Sequence, residues 1–258
     1  FRLLNNPGAH VGKQEFSIGT NGPEMIQQEL QAAKYIMERS SPTGVTPLAK
    51  HVSEIREEIH ALAPTLFEQG RRVAIILATD GLPTNQYGIS GRESNAEFTA
   101  ALQKLEGLPV WIVIRLCTNE DKVVDFYNNI DAQLELSIEV LDDYIGEAKE
   151  VYTHNPWLNY TLPIHRMREM GIQNRLFDLL DERPFTKSEL ADFCRLIFGV
   201  RAFDSVPDPE ADFAHFLKKL GKINDRERGH WNPISKKVKP LIDMKEVGKV
   251  YGESCTIM

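Results

Sequence analysis

Along the segment opened by Pro47, the apolar residues Leu48, Val52, Ile55, Ile59 and Leu62 recur at spacings of four, three, four and three. That period predicts a helix with one apolar stripe turned to a core. Val73–Ala78 and Val110–Ile114 have another texture: unbroken apolar runs without alternation, as in parallel strands covered on both faces. Around them, helices are expected over 23–39, 96–105, 121–134 and 142–151, and strands over Phe1–Asn5 and 136–140. The loop Asn6-Pro7-Gly8 follows the first strand. Strands alternating with helices imply a doubly wound, mostly parallel α/β sheet.

Past His154-Asn155-Pro156-Trp157 the pattern turns helical, without convincing strands. Thr186-Lys187-Ser188-Glu189 reads as a capping box opening a helix that buries Leu190, Phe193 and Leu196 or Ile197. The chain therefore divides into an α/β part over 1–153 and a helical extension with a tail over 154–258.

Composition narrows the classes. The formal charge is −7, against a general nucleic-acid binder, which needs a basic face. The three cysteines, Cys117, Cys194 and Cys255, form no C-x-x-C pair or disulfide framework, which fits a reducing, cytoplasmic setting. Neither a secretory signal nor an apolar run of about 18 residues is visible. Phe1-Arg2-Leu3-Leu4 reads as the middle of a domain rather than its start.

Two motifs carry candidate chemistry. Thr43-Gly44-Val45-Thr46-Pro47-Leu48 is a turn feeding a helix, and Ala78-Thr79-Asp80-Gly81-Leu82-Pro83 puts a carboxylate at the carboxyl end of a strand. Ligands of open parallel sheets gather beyond those ends, and a hydroxyl with a carboxylate suits Mg²⁺. Singly, Thr46 is a helix cap before a favoured proline and Asp80-Gly81 is a turn. In this order, separated by one amphipathic helix and one apolar strand, the two motifs resemble the von Willebrand factor type A domain. The resemblance covers about residues 1–150. It implies a metal-ion-dependent adhesion site in which Thr46 and Asp80 are the second-loop and third-loop ligands of Mg²⁺ or another divalent cation. It further implies a protein partner that supplies a carboxylate to the ion, with binding rather than turnover as the function. Phe1–Asn5 resembles the family's antiparallel edge strand. The family's first loop, Asp-x-Ser-x-Ser, does not occur in the chain, so the expected domain lacks its first strand, helix and second strand, and the cofactor requires the upstream loop.

Gly8-Ala9-His10-Val11-Gly12-Lys13-Gln14 resembles a phosphate-binding loop but has the wrong spacing and ends in Gln14. Cys117 with His165 would be a nucleophile and base only if the fold joined them. The last four residues, Cys255-Thr256-Ile257-Met258, match a farnesylation signal on Cys255, which implies a tether to the cytoplasmic face of a membrane, weakly supplemented by tail lysines. The leading reading is a non-enzymatic, membrane-tethered, metal-dependent binding module. The alternatives are an Mg²⁺-dependent, hydrolase-like enzyme using Asp80, and a structural subunit with an inactive metal site.

Overall fold

The computed structural model describes residues 1–41, 43–131, 133–141, 143–172 and 174–252. It is an α/β protein. The elements are α1 (Ile26–Arg39), α2 (Leu48–Glu68), β1 (Val73–Thr79), α3 (Arg92–Gln103), β2 (Val110–Leu116), α4 (Asp121–Asp131), β3 (Ile138–Leu141) and α5 (Tyr144–His154). They are followed by α6 (Leu162–Glu169), α7 (Arg175–Glu182), α8 (Lys187–Phe198), α9 (Phe213–Asn224), β4 (His230–Asn232), β5 (Lys237–Lys239) and α10 (Met244–Tyr251). The chain clusters into two units, interleaved in sequence. One comprises Phe1–Val73, Thr79–Val110 and Asp121–Ser137; the other comprises Ala74–Ala78, Trp111–Glu120 and the chain from Ile138 onward.

The parallel sheet has the order β1-β2-β3, with Val113 beside Glu139 and Arg115 beside Leu141. β2 is the covered strand, and Ile112, Val113 and Ile114 have no solvent exposure. β1 departs from the expectation of a strand buried on both faces. It lies at the edge of the order, and Ala74, Ile76 and Ala78 are exposed while Ile75 and Thr79 are buried. The exposed positions share one face, whose cover reaches Ala74 but leaves Ile76 open. Gly171 lies there in a left-handed conformation (φ 74°), and an added Cβ would come 3.3 Å from Ala74, close to Trp111 and Val113 as well.

In the first unit, α2 packs against α3. Leu48, Val52 and Ile59 are buried as their spacing requires, but Leu62 is exposed and its place in the core is taken by Ala63. Phe1–Asn5 is not a full strand: a single antiparallel bridge joins Arg2 to Glu15, and the rings of Phe1 and Phe16 stack at 5.4 Å. Too few ladder bonds form there to extend the pairing.

The second unit continues past the sheet into a core of Trp157, Tyr160, Phe177, Phe193, Phe216 and Val247. The capping box at Thr186 and Glu189 is formed, and Leu190 and Phe193 are buried, with Ile197 rather than Leu196 turned inward. β4 and β5 form an antiparallel ribbon that a helical reading of 154–258 does not anticipate; each strand spans only three residues, too short to show a period.

Asn155 joins the loops of this core. Its amide donates to the carbonyls of Leu180 (2.8 Å) and Arg183 (3.0 Å), and its oxygen accepts from the Trp157 indole (3.2 Å) and the Phe185 amide (3.0 Å). Asn155→Ala strands all of these buried groups, and the expected loss is about 3–5 kcal/mol of unfolding free energy. Urea denaturation followed by tryptophan emission measures it; a loss below about 1 kcal/mol contradicts the role given to this amide.

Candidate functional site

Thr46 is pinned through its backbone. Its N–H donates to the Thr84 hydroxyl at 2.8 Å, and its carbonyl accepts from the N–H of Thr84 at 2.9 Å and of Leu48 at 2.8 Å. Just before it, the Asn5 side chain donates to the Val45 carbonyl (2.7 Å) and accepts from the Val45 N–H (3.3 Å), behaving as a strand partner would. That approach explains Gly44, which sits at φ 111° with Asn5 so near that a Cβ would lie 2.6 Å from its side chain. His51 fixes the same segment by bonding the Leu4 carbonyl at 2.9 Å.

The ordinary role of Thr46, a helix cap, is not used: Pro47 occupies the cap position of α2, without a side-chain capping bond. The ordinary turn role of Asp80 is also taken by neighbours. The Thr79 hydroxyl donates to the Gly81 carbonyl at 3.1 Å, and buried Tyr127 donates to the same carbonyl at 3.0 Å. Burial raises the Tyr127 pKa, so its hydroxyl stays protonated as a donor. Thr46 and Asp80 line one cavity of about 650 Å³, together with Leu3, Asn5, His10 and Ser41. Among the described residues, neither the Thr46 hydroxyl nor the Asp80 carboxylate forms a hydrogen bond or ion pair.

A second cavity, of about 480 Å³, belongs to the other unit and opens beyond the carboxyl end of β2. It is lined by Arg115, Cys117, Thr118, Asp143, His165 and Glu169, among others. The fold thus brings Cys117 and His165 to one cavity, which nothing in their separation along the chain anticipates. Cys117 is exposed. His165 meets the Tyr160 hydroxyl through Nδ1 at 3.2 Å and lies 3.5 Å from Glu169 through Nε2. Burial holds its pKa below the usual imidazole value, against the opposing pull of the Glu169 carboxylate. Glu169 is itself paired with Arg115 and Arg166.

Cys255 lies outside the described residues. Among the described residues, no helix is long and apolar enough to cross a membrane. Comparison with protein-family models, curated proteins and solved structures finds no match to this chain.

Glu147, Glu150 and Asp181 bring carboxylate oxygens within 4.8 Å of one another. Here the cation is the protein's own. Arg168 donates to Glu139 (2.8 Å), Glu147 (2.7 Å) and Asp181 (2.8 Å), and more distantly to Tyr160 (3.4 Å). The sequence holds one weak signal for this network, a glutamate inside the apolar strand of residues 138–141. Burial alone would lower the Arg168 pKa, but the facing anions raise it well above its ordinary value. Burial raises the pKa of Glu139, against the pull of Arg168, and that of Asp178; one oxygen of each is buried without a hydrogen-bond partner among the described residues.

A carboxylate with a raised pKa holds its proton more tightly when folded. Its stabilising contribution is complete below the ordinary carboxylate range and is lost as pH rises through the raised value. Glu139→Gln is expected to flatten the fall in stability over that window while retaining an acceptor for Arg168. Denaturation midpoints measured across the window decide it, and an unchanged slope contradicts the assignment to Glu139. Arg168→Met, which removes the buried cation that these carboxylates face, is expected to cost about 3–5 kcal/mol at neutral pH in the same experiment; a cost below about 1 kcal/mol shows that the carboxylates do not depend on Arg168.

Proposed function

We propose that the chain is a metal-dependent protein-binding module of the von Willebrand factor type A kind, in which Thr46 and Asp80 are ligands of Mg²⁺ or a similar divalent cation. The observation that carries this reading is their shared cavity, in which neither side-chain oxygen has a hydrogen-bond or ion-pair partner among the described residues, while the Thr46 backbone is pinned and Gly81, beside Asp80, is held by Thr79 and Tyr127. Hydroxyl and carboxylate oxygens are the donors a hard cation prefers. The number of donors fits only part of a site, because Mg²⁺ wants near-octahedral coordination and the amide of neighbouring Asn5 is committed to Val45. The remaining oxygens in this reading come from an Asp-x-Ser-x-Ser loop outside the chain, from water and from a carboxylate on the partner protein. When bound, the ion supplies a positive centre that recognises that carboxylate. Thr46 and Asp80 hold the ion, Thr46 on a pinned backbone and Asp80 beside the held Gly81. The reading is of binding rather than catalysis. Its second part is a farnesyl group on Cys255 that tethers the module to the cytoplasmic face of a membrane.

The test uses Mn²⁺ as a paramagnetic probe of the whole chain by NMR. Weak binding is expected, with amide broadening confined to the neighbourhoods of Thr46 and Asp80 and abolished by Asp80→Ala. Broadening centred instead on Glu147, Glu150 and Asp181 overturns the metal assignment. Tight Mg²⁺ binding by this chain alone, measured by calorimetry, overturns the partial-site account.

A further inference from the structure

From Gly229 to Ile242 the chain carries no acidic side chain and three lysines, Lys236, Lys237 and Lys239. In the ribbon of β4 and β5, Trp231 pairs with Val238 and Asn232 with Lys237. Alternation along each strand puts Trp231 and Val238 on one face, and Asn232 with Lys237 and His230 with Lys239 on the other. The Asn232 face is fastened to the unit. Buried Asn232 donates to Asn159 at 3.0 Å, and Asn159 donates to the carbonyls of His230 (3.2 Å) and Lys239 (3.4 Å). The turn is closed by Lys236 in a left-handed conformation (φ 53°), its N–H donating to the Asn232 carbonyl at 2.9 Å.

A two-stranded ribbon is marginal alone, and here buried amides hold it in place. Its outer face nevertheless ends in solvent. Trp231 is 54% exposed and Val238 67%, with Ile234 partly exposed at the turn. All three lysines are exposed, as are Arg226 and Arg228 on the approach to β4. The acids nearest in sequence are Asp225 and Glu227, which alternate with Arg226 and Arg228, Asp243, which caps α10, and Glu246, which pairs with Lys249.

We propose that this ribbon is a membrane-contact element. Trp231, Val238 and Ile234 enter the headgroup–acyl boundary of an anionic bilayer, Lys236 at the turn meets its headgroups, and Lys237 and Lys239, exposed on the opposite face, act from further off. Tryptophan suits that boundary because an apolar ring carries one polar N–H, and lysines beside an anionic leaflet each strengthen attachment. A protein partner fits less well, since lysine is depleted from protein interfaces. A single-stranded nucleic acid would want a groove of stacking rings, whereas this ribbon offers one tryptophan on an outward face. The inference concerns residues 229–242 and stands whether or not Cys255 carries a lipid.

The test is flotation of the full chain as Cys255→Ser with phosphatidylcholine vesicles, with and without phosphatidylserine. Binding is expected only to the anionic vesicles, weakening as salt rises. Lys236→Gln should cost about fivefold in partition coefficient, and Lys237→Gln or Lys239→Gln less. Trp231→Ser with Val238→Ser should remove binding and, because both side chains are exposed, leave the thermal melting curve unchanged. Brominated lipid should quench the parent protein more than Trp231→Phe. Absence of binding to anionic vesicles overturns the proposal, as does binding indifferent to Trp231 and Val238. So does a single-stranded oligonucleotide that binds through these lysines while vesicles do not. An unmodified Cys255 in cells would count against the lipid anchor and leave this assay untouched.

Discussion

Arg168 is the point on which the second unit turns. One guanidinium reaches a carboxylate on β3, one on α5 and one on α7, while its own backbone belongs to α6. Four elements separated along the chain are thereby held at one centre, and the fork geometry of arginine makes this possible where a lysine would reach one partner well. The arrangement stabilises only as a set: the carboxylates are buried because the cation is there, and the cation is buried because they are. Within this centre burial pushes Glu139 and Asp178 toward the protonated form, against the pull of Arg168.

Beyond that ionic centre, carboxamides do the joining. Asn155 ties the turn after α5 to the segments after α7, and Asn224 exchanges bonds with both backbone groups of Ile242 at 3.0 Å. Asn159 and Asn232 do the same for the ribbon. Each is an amide offering donor and acceptor to irregular backbone whose polar groups would otherwise be buried unsatisfied. Short helices and a two-stranded ribbon have few ladder bonds of their own, so the unit's coherence rests on these side chains and on the aromatic core around Trp157 and Phe193.

How much of this was legible depended on how local each cause was. The helices of the first part, the buried β2 and the capping box at Thr186 follow from period and caps within a few residues. The exposed face of β1 did not follow, because an apolar run records what a strand can tolerate on each face and not which neighbours cover it. Leu62 fell out of its stripe for a similar reason: beyond Ile59, Ala63 rather than Leu62 faces the core. Arg168 and its carboxylates were out of reach, lying 13 to 29 residues apart with no motif. Thr46 and Asp80 were nameable from their motifs; that their side-chain oxygens have no partner among the described residues was not.

That last point separates the candidate site from the acidic cluster. Glu147 and Asp181 are consumed by Arg168, and their convergence is explained by the cation already present. At Thr46 and Asp80 the local work has been passed to others. Thr84 receives the Thr46 N–H, Pro47 takes the cap position, and Thr79 and Tyr127 hold Gly81. A threonine before a helix and an aspartate before a glycine would ordinarily satisfy their own loops. Two loops whose hydroxyl and carboxylate line one cavity, without a hydrogen bond or ion pair among the described residues, depart from local economy, and such departures gather at functional or strained sites.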